Sequence, residues 1–302
     1  MNAIIFPGQG AQYPGMGNDL YDAYPQARAI FSRMEGVLGF SLSAKCFKGT
    51  RDELKDTSLA QLAIMAASLA GFEVLKSKGF KADYLAGLSL GEYSCLYPAG
   101  VLSLEDLTRL VRERGRAMQE AALNSNSTML AVLGLEKEQL EPLAVKCGFY
   151  IANLNAPGQV VISLAKTDVG AVRATLEALP AKVISLEVSG GFHSPFVAPA
   201  KKRLEKIIDS LVFKGAAIPV VSNFTGQAHT MAGEIKVNLL EQLTSPVRWV
   251  DCVRFMVAQG VSEFYEVGPS KVLKGLLRKI DPRLKVVNIE KKEDLDNIKG
   301  GI

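Results

Sequence analysis

Along this chain, short apolar runs that suit strands alternate with longer stretches whose apolar positions recur at helical spacing. Ala3 to Phe6 is a short apolar run closed by Pro7-Gly8, the pattern of a buried strand entering a turn. Leu59 to Leu75 is apolar on nearly every side, which suits a helix enclosed by a large core. Lys81 to Leu88 reads as a second strand. Ser103-Leu104-Glu105-Asp106 resembles a capping box, with Ser103 as N-cap and Asp106 in place of the usual Glu, and it opens a helix running to about Leu123.

From Ser127 to Ser189 the order changes to strand (MLAVLGL), helix (KEQLEPLAVK), strand (FYIANLN), strand (QVVISLA), helix (DVGAVRATLEAL) and strand (AKVISLEVS). That βαββαβ order predicts a small ferredoxin-like subdomain inserted at 127–194. The α/β alternation then resumes with a helix at 195–210, a strand from Ile218 to Ser222, a helix at 250–259, a strand from Val261 to Val267, a helix from Ser270 to Ile280 and a strand from Leu284 to Ile289. The fold class is therefore α/β, a mostly parallel sheet with helices on both faces built from 1–126 and 195–302. The tail EKKEDLDNIKGGI is expected to fray, and no repeat, low-complexity tract or linker is visible.

Composition narrows the function classes. A chain of 302 residues with 48% hydrophobic content buries a sizeable core. Thirty-five basic against 31 acidic side chains leave only +4, too even for nucleic acid as the main partner. Cys46, Cys95, Cys147 and Cys252 lie far apart with no paired spacing, so neither a zinc site nor a disulfide framework is expected, and reduced thiols in a cytoplasm fit best. The N-terminus has no basic region and its apolar run stops at Pro7, so no signal peptide is read there. The longest uncharged stretch, Thr57 to Phe72, falls short of the ~18 to 20 apolar residues that span a bilayer, and no membrane role is expected.

The first candidate chemistry is Gly87-Leu88-Ser89-Leu90-Gly91, a G-x-S-x-G at the end of a strand. A nucleophilic serine must project from a sharp strand-to-helix turn, and crowding there favours glycine two residues on either side. The start of the next helix leaves the Leu90 amide free to bind an oxyanion. A glycine-rich turn with a solvated serine is the plainer alternative. Phe6-Pro7-Gly8-Gln9-Gly10 supplies a second tight turn after a strand, where the Gln9 N–H can point at the serine; a plain turn or a phosphate loop are the alternatives, but neither G-x-G-x-x-G nor G-K-[ST] is present.

Serine needs a base, and the chain holds two histidines. His193 sits in the glycine-rich SGGFHSP and is preferred over His229, which lies in the polar turn TGQAHT. No Asp or Glu near His193 has a claim as third member, so a Ser-His dyad with a backbone carbonyl holding the imidazole is expected. On the helix from Leu104, the residues Leu104, Leu107, Leu110, Val111, Met118 and Ala121 share a sector about 120° wide, and Arg114 falls in its middle. A guanidinium on a core face needs a buried anion or a set of acceptors. That anion is either a core carboxylate or the carboxylate of a dicarboxylic acyl ligand such as malonyl, bound through two parallel hydrogen bonds.

FPGQG, GLSLGEY, Arg114 in VRERGRAMQ, NLNAPGQVV, GGFHSP and SPVRW, in this order, resemble the malonyl-CoA:acyl carrier protein transacylase family over essentially the whole chain. The resemblance implies an α/β-hydrolase-like core with an inserted ferredoxin-like subdomain. It also implies ping-pong transfer of malonyl from coenzyme A, through a serine ester, to the phosphopantetheine thiol of acyl carrier protein, in service of fatty acid synthesis. By motif it makes Ser89 the nucleophile, His193 the base, the Gln9 and Leu90 amides the oxyanion hole, and Arg114 the malonyl clamp. Gln61, Asn155 and Phe192 become substrate-binding residues, and the backbone carbonyl of Arg248 is expected to hold the histidine. No cofactor or metal is implied, the partners are acyl carrier protein and a coenzyme A thioester, and a monomer is expected. Leu88 stands where many members have histidine, Leu62 follows Gln61 where proline is usual, and Gly191 replaces a common alanine. Lys201, Lys202, Arg203 and Lys206 form a positive cluster after His193 that either receives an acidic carrier protein or is a solvated helix face. A polyketide-serving acyltransferase, an acyl hydrolase and a catalytically silent binding module are the competing readings.

Overall fold

In a computed structural model, which describes residues 1–296 and 298, ten strands form two sheets. In chain order the strands are β1 (Asn2–Phe6), β2 (Tyr84–Gly87), β3 (Ser127–Leu133), β4 (Tyr150–Ala156), β5 (Gln159–Ala165), β6 (Lys182–Ser185), β7 (Val220–Val221), β8 (Ala228–His229), β9 (Glu263–Val267) and β10 (Lys285–Ile289). The larger sheet runs β10-β9-β1-β2-β7-β8, parallel throughout except for β8, which pairs antiparallel with β7. Its central strand is buried on both faces: Ile4 and Phe6 enter one apolar core while Ala3 and Ile5 enter the other. A strand covered on both sides reads as an unbroken apolar run, which is why Ala3 to Phe6 shows no polar alternation.

The helix Thr57–Ser77 packs in the first of these cores. Its length and composition alone would let it cross a membrane, but 83% of its most apolar window is buried inside the protein. Asp56 caps it by accepting from the N–H groups of Ser58 and Leu59. The helix Leu104–Asn124 packs beside it and buries the expected stripe together with Arg114. Ser103 Oγ accepts from the Asp106 N–H at 3.0 Å. The return bond of a capping box is missing, because the shorter Asp106 carboxylate binds the Ser103 hydroxyl instead.

The smaller sheet is antiparallel, ordered β4-β5-β3-β6, with its own core around Leu130, Val160 and Ile162. That order, with the last strand beside the first, is the spatial arrangement a ferredoxin-like βαββαβ unit produces.

Several elements depart from expectation. The helices Asn18–Ala23, Pro25–Leu38, Leu42–Lys48 and Ala232–Gln242 and the strand β8 were not anticipated. In Pro25–Leu38 the buried Ala27, Ile30, Phe31 and Met34 do carry a helical period. The tail does not fray at Lys292–Asp296, a helix that buries Leu295 and ties its first N–H to Asp19. The expectation for 297 and 299–302 lies outside the described residues.

Candidate active site

The turn after β2 is held in a shape that few residues tolerate. Ser89 has φ 53° and ψ −101°, a positive φ that costs a non-glycine residue about 1–3 kcal/mol and persists only where its surroundings enforce it. The flanking glycines are required by contact: a Cβ on Gly91 would run into the Phe6 carbonyl, and one on Gly87 into the backbone of Gly91. Leu88 N–H donates to Phe6 O at 3.1 Å, so the FPGQG loop lies against the elbow.

Asn223 completes the brace. It follows β7, whose parallel register against β2 carries the chain to the same sheet end. Its Oδ1 accepts from the Ser89 N–H at 2.6 Å, and its Nδ2 donates to Gly87 O at 2.8 Å. One side chain thereby spans the strained turn from both sides.

The Ser89 hydroxyl meets His193 Nε2 at 2.8 Å, and His193 Nδ1 meets the Gln242 main-chain oxygen at 2.8 Å. A carbonyl can only accept, so Nδ1 carries the proton and the Nε2 lone pair faces the serine. Burial pushes the imidazole down to about 4; the Gln242 carbonyl pulls it up and the Arg114 charge lowers it further. The histidine loop, with His193 at φ 55°, is pinned by the smaller sheet: Ser127 Oγ of β3 accepts from the Gly191 N–H at 2.7 Å, and Ser163 Oγ of β5 donates to Phe192 O at 2.6 Å. Gly191 faces Ser127 and Phe196 and does not line the cavity beside Ser89.

The expected carbonyl of Arg248 does not hold the histidine. That oxygen accepts from the Cys252 N–H at 3.0 Å as the cap of the helix Trp249–Ala258, and the Arg248 guanidinium pairs with Asp251. Gln242, at the end of the helix Ala232–Gln242, presents its carbonyl because the last carbonyls of a helix have no partner within it. His229 stands elsewhere, bonded to Thr225 Oγ1 and Glu234.

Arg114 is 1% exposed, yet among the described residues it makes no ion pair. Its Nη1 donates to Gln61 Oε1 at 2.7 Å, and its Nη2 to Gln242 Oε1 at 3.1 Å and Ser89 Oγ at 3.2 Å. Its guanidinium lies 4.5 Å from the centre of the Tyr93 ring, and its Nε has no partner. Among the described residues no carboxylate is in ion-pair contact with it, so its direct acceptors are neutral oxygens, and the buried Glu92 acts on it only at longer range. Glu92, also buried, lies close by; burial pushes its pKa up to about 7, against hydrogen bonds from the Asn223 N–H and Gln242.

Ser89, His193 and Arg114 open onto one cavity of about 530 Å3, lined as well by Gln9, Gln61, Leu90, Asn155 and Phe192. Asn155 Oδ1 is buried there without a hydrogen-bond partner. Leu90 begins the short helix Leu90–Ser94, so its N–H has no partner within that helix. A nucleophile and base beside a buried cation can form and hold an ester of an anionic acyl group. No cluster of three or more His, Cys, Asp or Glu able to hold a metal occurs among the described residues.

A family profile described as acyl transferase domain matches residues 3–288. The chain belongs to the acyl transferase family. Within that family it is 40% identical, over 97% of its length and 95% of the relative's, to the malonyl CoA-acyl carrier protein transacylase of Bacillus subtilis. The solved acyl carrier protein S-malonyltransferase of Vibrio cholerae superposes with a TM-score of 0.95 at 38% identity, covering 99% of each chain. PlMCAT, solved as the malonyl-transacylase of the type II PKS acyl-carrier protein AntF and in complex with it, gives 0.94 at 35% identity, covering 98% of this acyl transferase and 97% of that chain.

Sequence reasoning missed Asn223, Gln242 and any role for Glu92. Asn223 had a faint signal, a polar residue just past a strand that neighbours β2. The main-chain oxygen of Gln242 had none, since every residue type carries a carbonyl.

Proposed function

We propose that this acyl transferase moves malonyl from malonyl-CoA to the phosphopantetheine thiol of acyl carrier protein and so supplies fatty acid synthesis. The observation that carries this reading is the shared cavity: a Ser-His dyad and a buried guanidinium with no carboxylate in ion-pair contact among the described residues face the same space. The names of its relatives, and the solved pairing of one of them with its carrier protein, support malonyl-CoA and acyl carrier protein as the two substrates.

In the proposed sequence His193 Nε2 takes the Ser89 proton as Oγ attacks the thioester carbon. The oxyanion is bound by the Gln9 and Leu90 amides. Coenzyme A leaves as its thiol, carrying the proton returned by His193, and malonyl remains as a Ser89 ester with its carboxylate on Arg114. The carrier thiol then gives its proton to His193, attacks that ester and departs as malonyl thioester, with the proton returned to Ser89. Gln61 and Asn155 orient the acyl group and Phe192 walls the cavity. The proposed division of the chain assigns the nucleophile and clamp to 1–126 and 195–302, and the base loop to the edge of 127–194. With its cysteines unpaired, the protein is assigned to the cytoplasm.

Brief exposure to malonyl-CoA should add one malonyl group to Ser89, seen by mass spectrometry, and holo acyl carrier protein should then collect it. Ser89→Ala should show no adduct. Free malonate as the main product, with no malonyl-carrier, would replace the transferase by a hydrolase.

A further inference from the structure

Glu92 is a buried carboxylate to which the acyl transfer gives no task. Its Oε2 accepts from the Asn223 N–H at 2.9 Å and from Gln242 Nε2 at 2.6 Å. The Gln242 amide has two unlike ends. Its Nε2 is held by Glu92 and by Ser89 O at 3.0 Å, which leaves Oε1 turned to Arg114 Nη2 at 3.1 Å. Turning that amide over would set its NH2 against a guanidinium and its oxygen against a carboxylate, and both contacts repel. The main-chain oxygen of the same residue holds His193 Nδ1.

We infer that Glu92 is a positioning residue for acyl selection: it orients the Gln242 amide so that its oxygen anchors the Arg114 guanidinium in the acyl cavity. This rests on the reading of Arg114 as carboxylate clamp given above. Glu92 touches neither substrate nor Ser89 Oγ. With the Glu92 oxygen gone, Nε2 keeps only Ser89 O at 3.0 Å, the amide is held less firmly in that orientation, and the acceptor it offers the guanidinium is less well fixed. Malonyl, which needs the guanidinium plane for two parallel hydrogen bonds, suffers more than acetyl, which does not use it.

The experiment measures the rate constant of Ser89 acylation by intact mass, with malonyl-CoA and with acetyl-CoA, in wild type, Glu92→Leu and Glu92→Gln. The malonyl-to-acetyl ratio should fall about tenfold in Glu92→Leu, the equivalent of one charge-assisted hydrogen bond. Glu92→Gln retains an oxygen that can accept from both donors and should keep most of the ratio. An unchanged ratio in folded Glu92→Leu overturns the inference, as does an equal loss of both rates accompanied by a lowered Tm, which marks a purely structural role. Should Glu92→Leu fail to fold, Glu92→Asp carries the test: one methylene shorter, its carboxylate cannot reach both donors, and an unchanged ratio there is equally fatal. A wild type that takes no malonyl on Ser89 defeats the proposed function itself. Selective malonylation with an unmoved ratio in the variants defeats only the role of Glu92.

Discussion

Replacing Arg114 by Ala tests the clamp most directly. The guanidinium donates to the oxygens of Gln61, Gln242 and Ser89, so a malonyl carboxylate exchanges neutral acceptors for a charged one. Two hydrogen bonds between charged groups contribute about 3–6 kcal/mol gross, and the exchange places the net near the lower end, about 3 kcal/mol. That corresponds to a loss of about a hundredfold in kcat/KM for malonyl-CoA. Acetyl-CoA presents a methyl group to the same buried cation, so its kcat/KM should hold or rise. The ratio of the two, from competition for Ser89 followed by mass spectrometry, isolates selection from general damage. Loss of the Tyr93 contact and of three hydrogen bonds will lower Tm, so both substrates are compared on the same folded preparation. A malonyl-to-acetyl ratio unmoved in folded Arg114→Ala would refute the clamp.

The pH profile of Ser89 acylation should be flat from pH 8 to 5 and fall only towards pH 4. The His193 pKa is depressed to about 4, so the imidazole stays neutral and basic above that value and loses its role as pH falls through it. An acid limb near the ordinary histidine value of about 6.5 contradicts this. Gly91→Ala drives a methyl group into the Phe6 carbonyl and should cost more than about 3 kcal/mol in urea unfolding; an unchanged midpoint refutes the close approach. Asn223→Ala removes both side-chain braces of the Ser89 turn and should slow acylation at least about tenfold while KM changes little. In the cluster after His193, Lys201 pairs with Glu241 and Arg203 with Glu113 and Glu120, which leaves Lys202 and Lys206 as the positions to test. Charge reversal at both should raise KM for acyl carrier protein and leave malonyl-CoA loading intact, and an unchanged carrier KM removes this face from docking.

By itself the sequence determined whatever depends on local spacing. A strand buried on both faces must be apolar throughout, a helix with one covered face must repeat its apolar positions, and a serine on a tight elbow must have glycine two residues away. Hence β1, the helix Leu104–Asn124 with Arg114 in its stripe, the βαββαβ order and the G-x-S-x-G turn were all legible in one dimension. Tertiary structure decided which distant groups meet. The carbonyl that holds His193 is that of Gln242 rather than Arg248, because a helix end points an unpartnered oxygen at the imidazole, and peptide oxygens leave no mark in residue type. Asn223 and Glu92 join the site for a similar reason: the parallel pairing of β7 with β2 brings residues more than a hundred positions apart to one sheet end. Spacing along a chain reports what each segment must bury, whereas hydrogen bonds between segments exist only once the sheet has set their register.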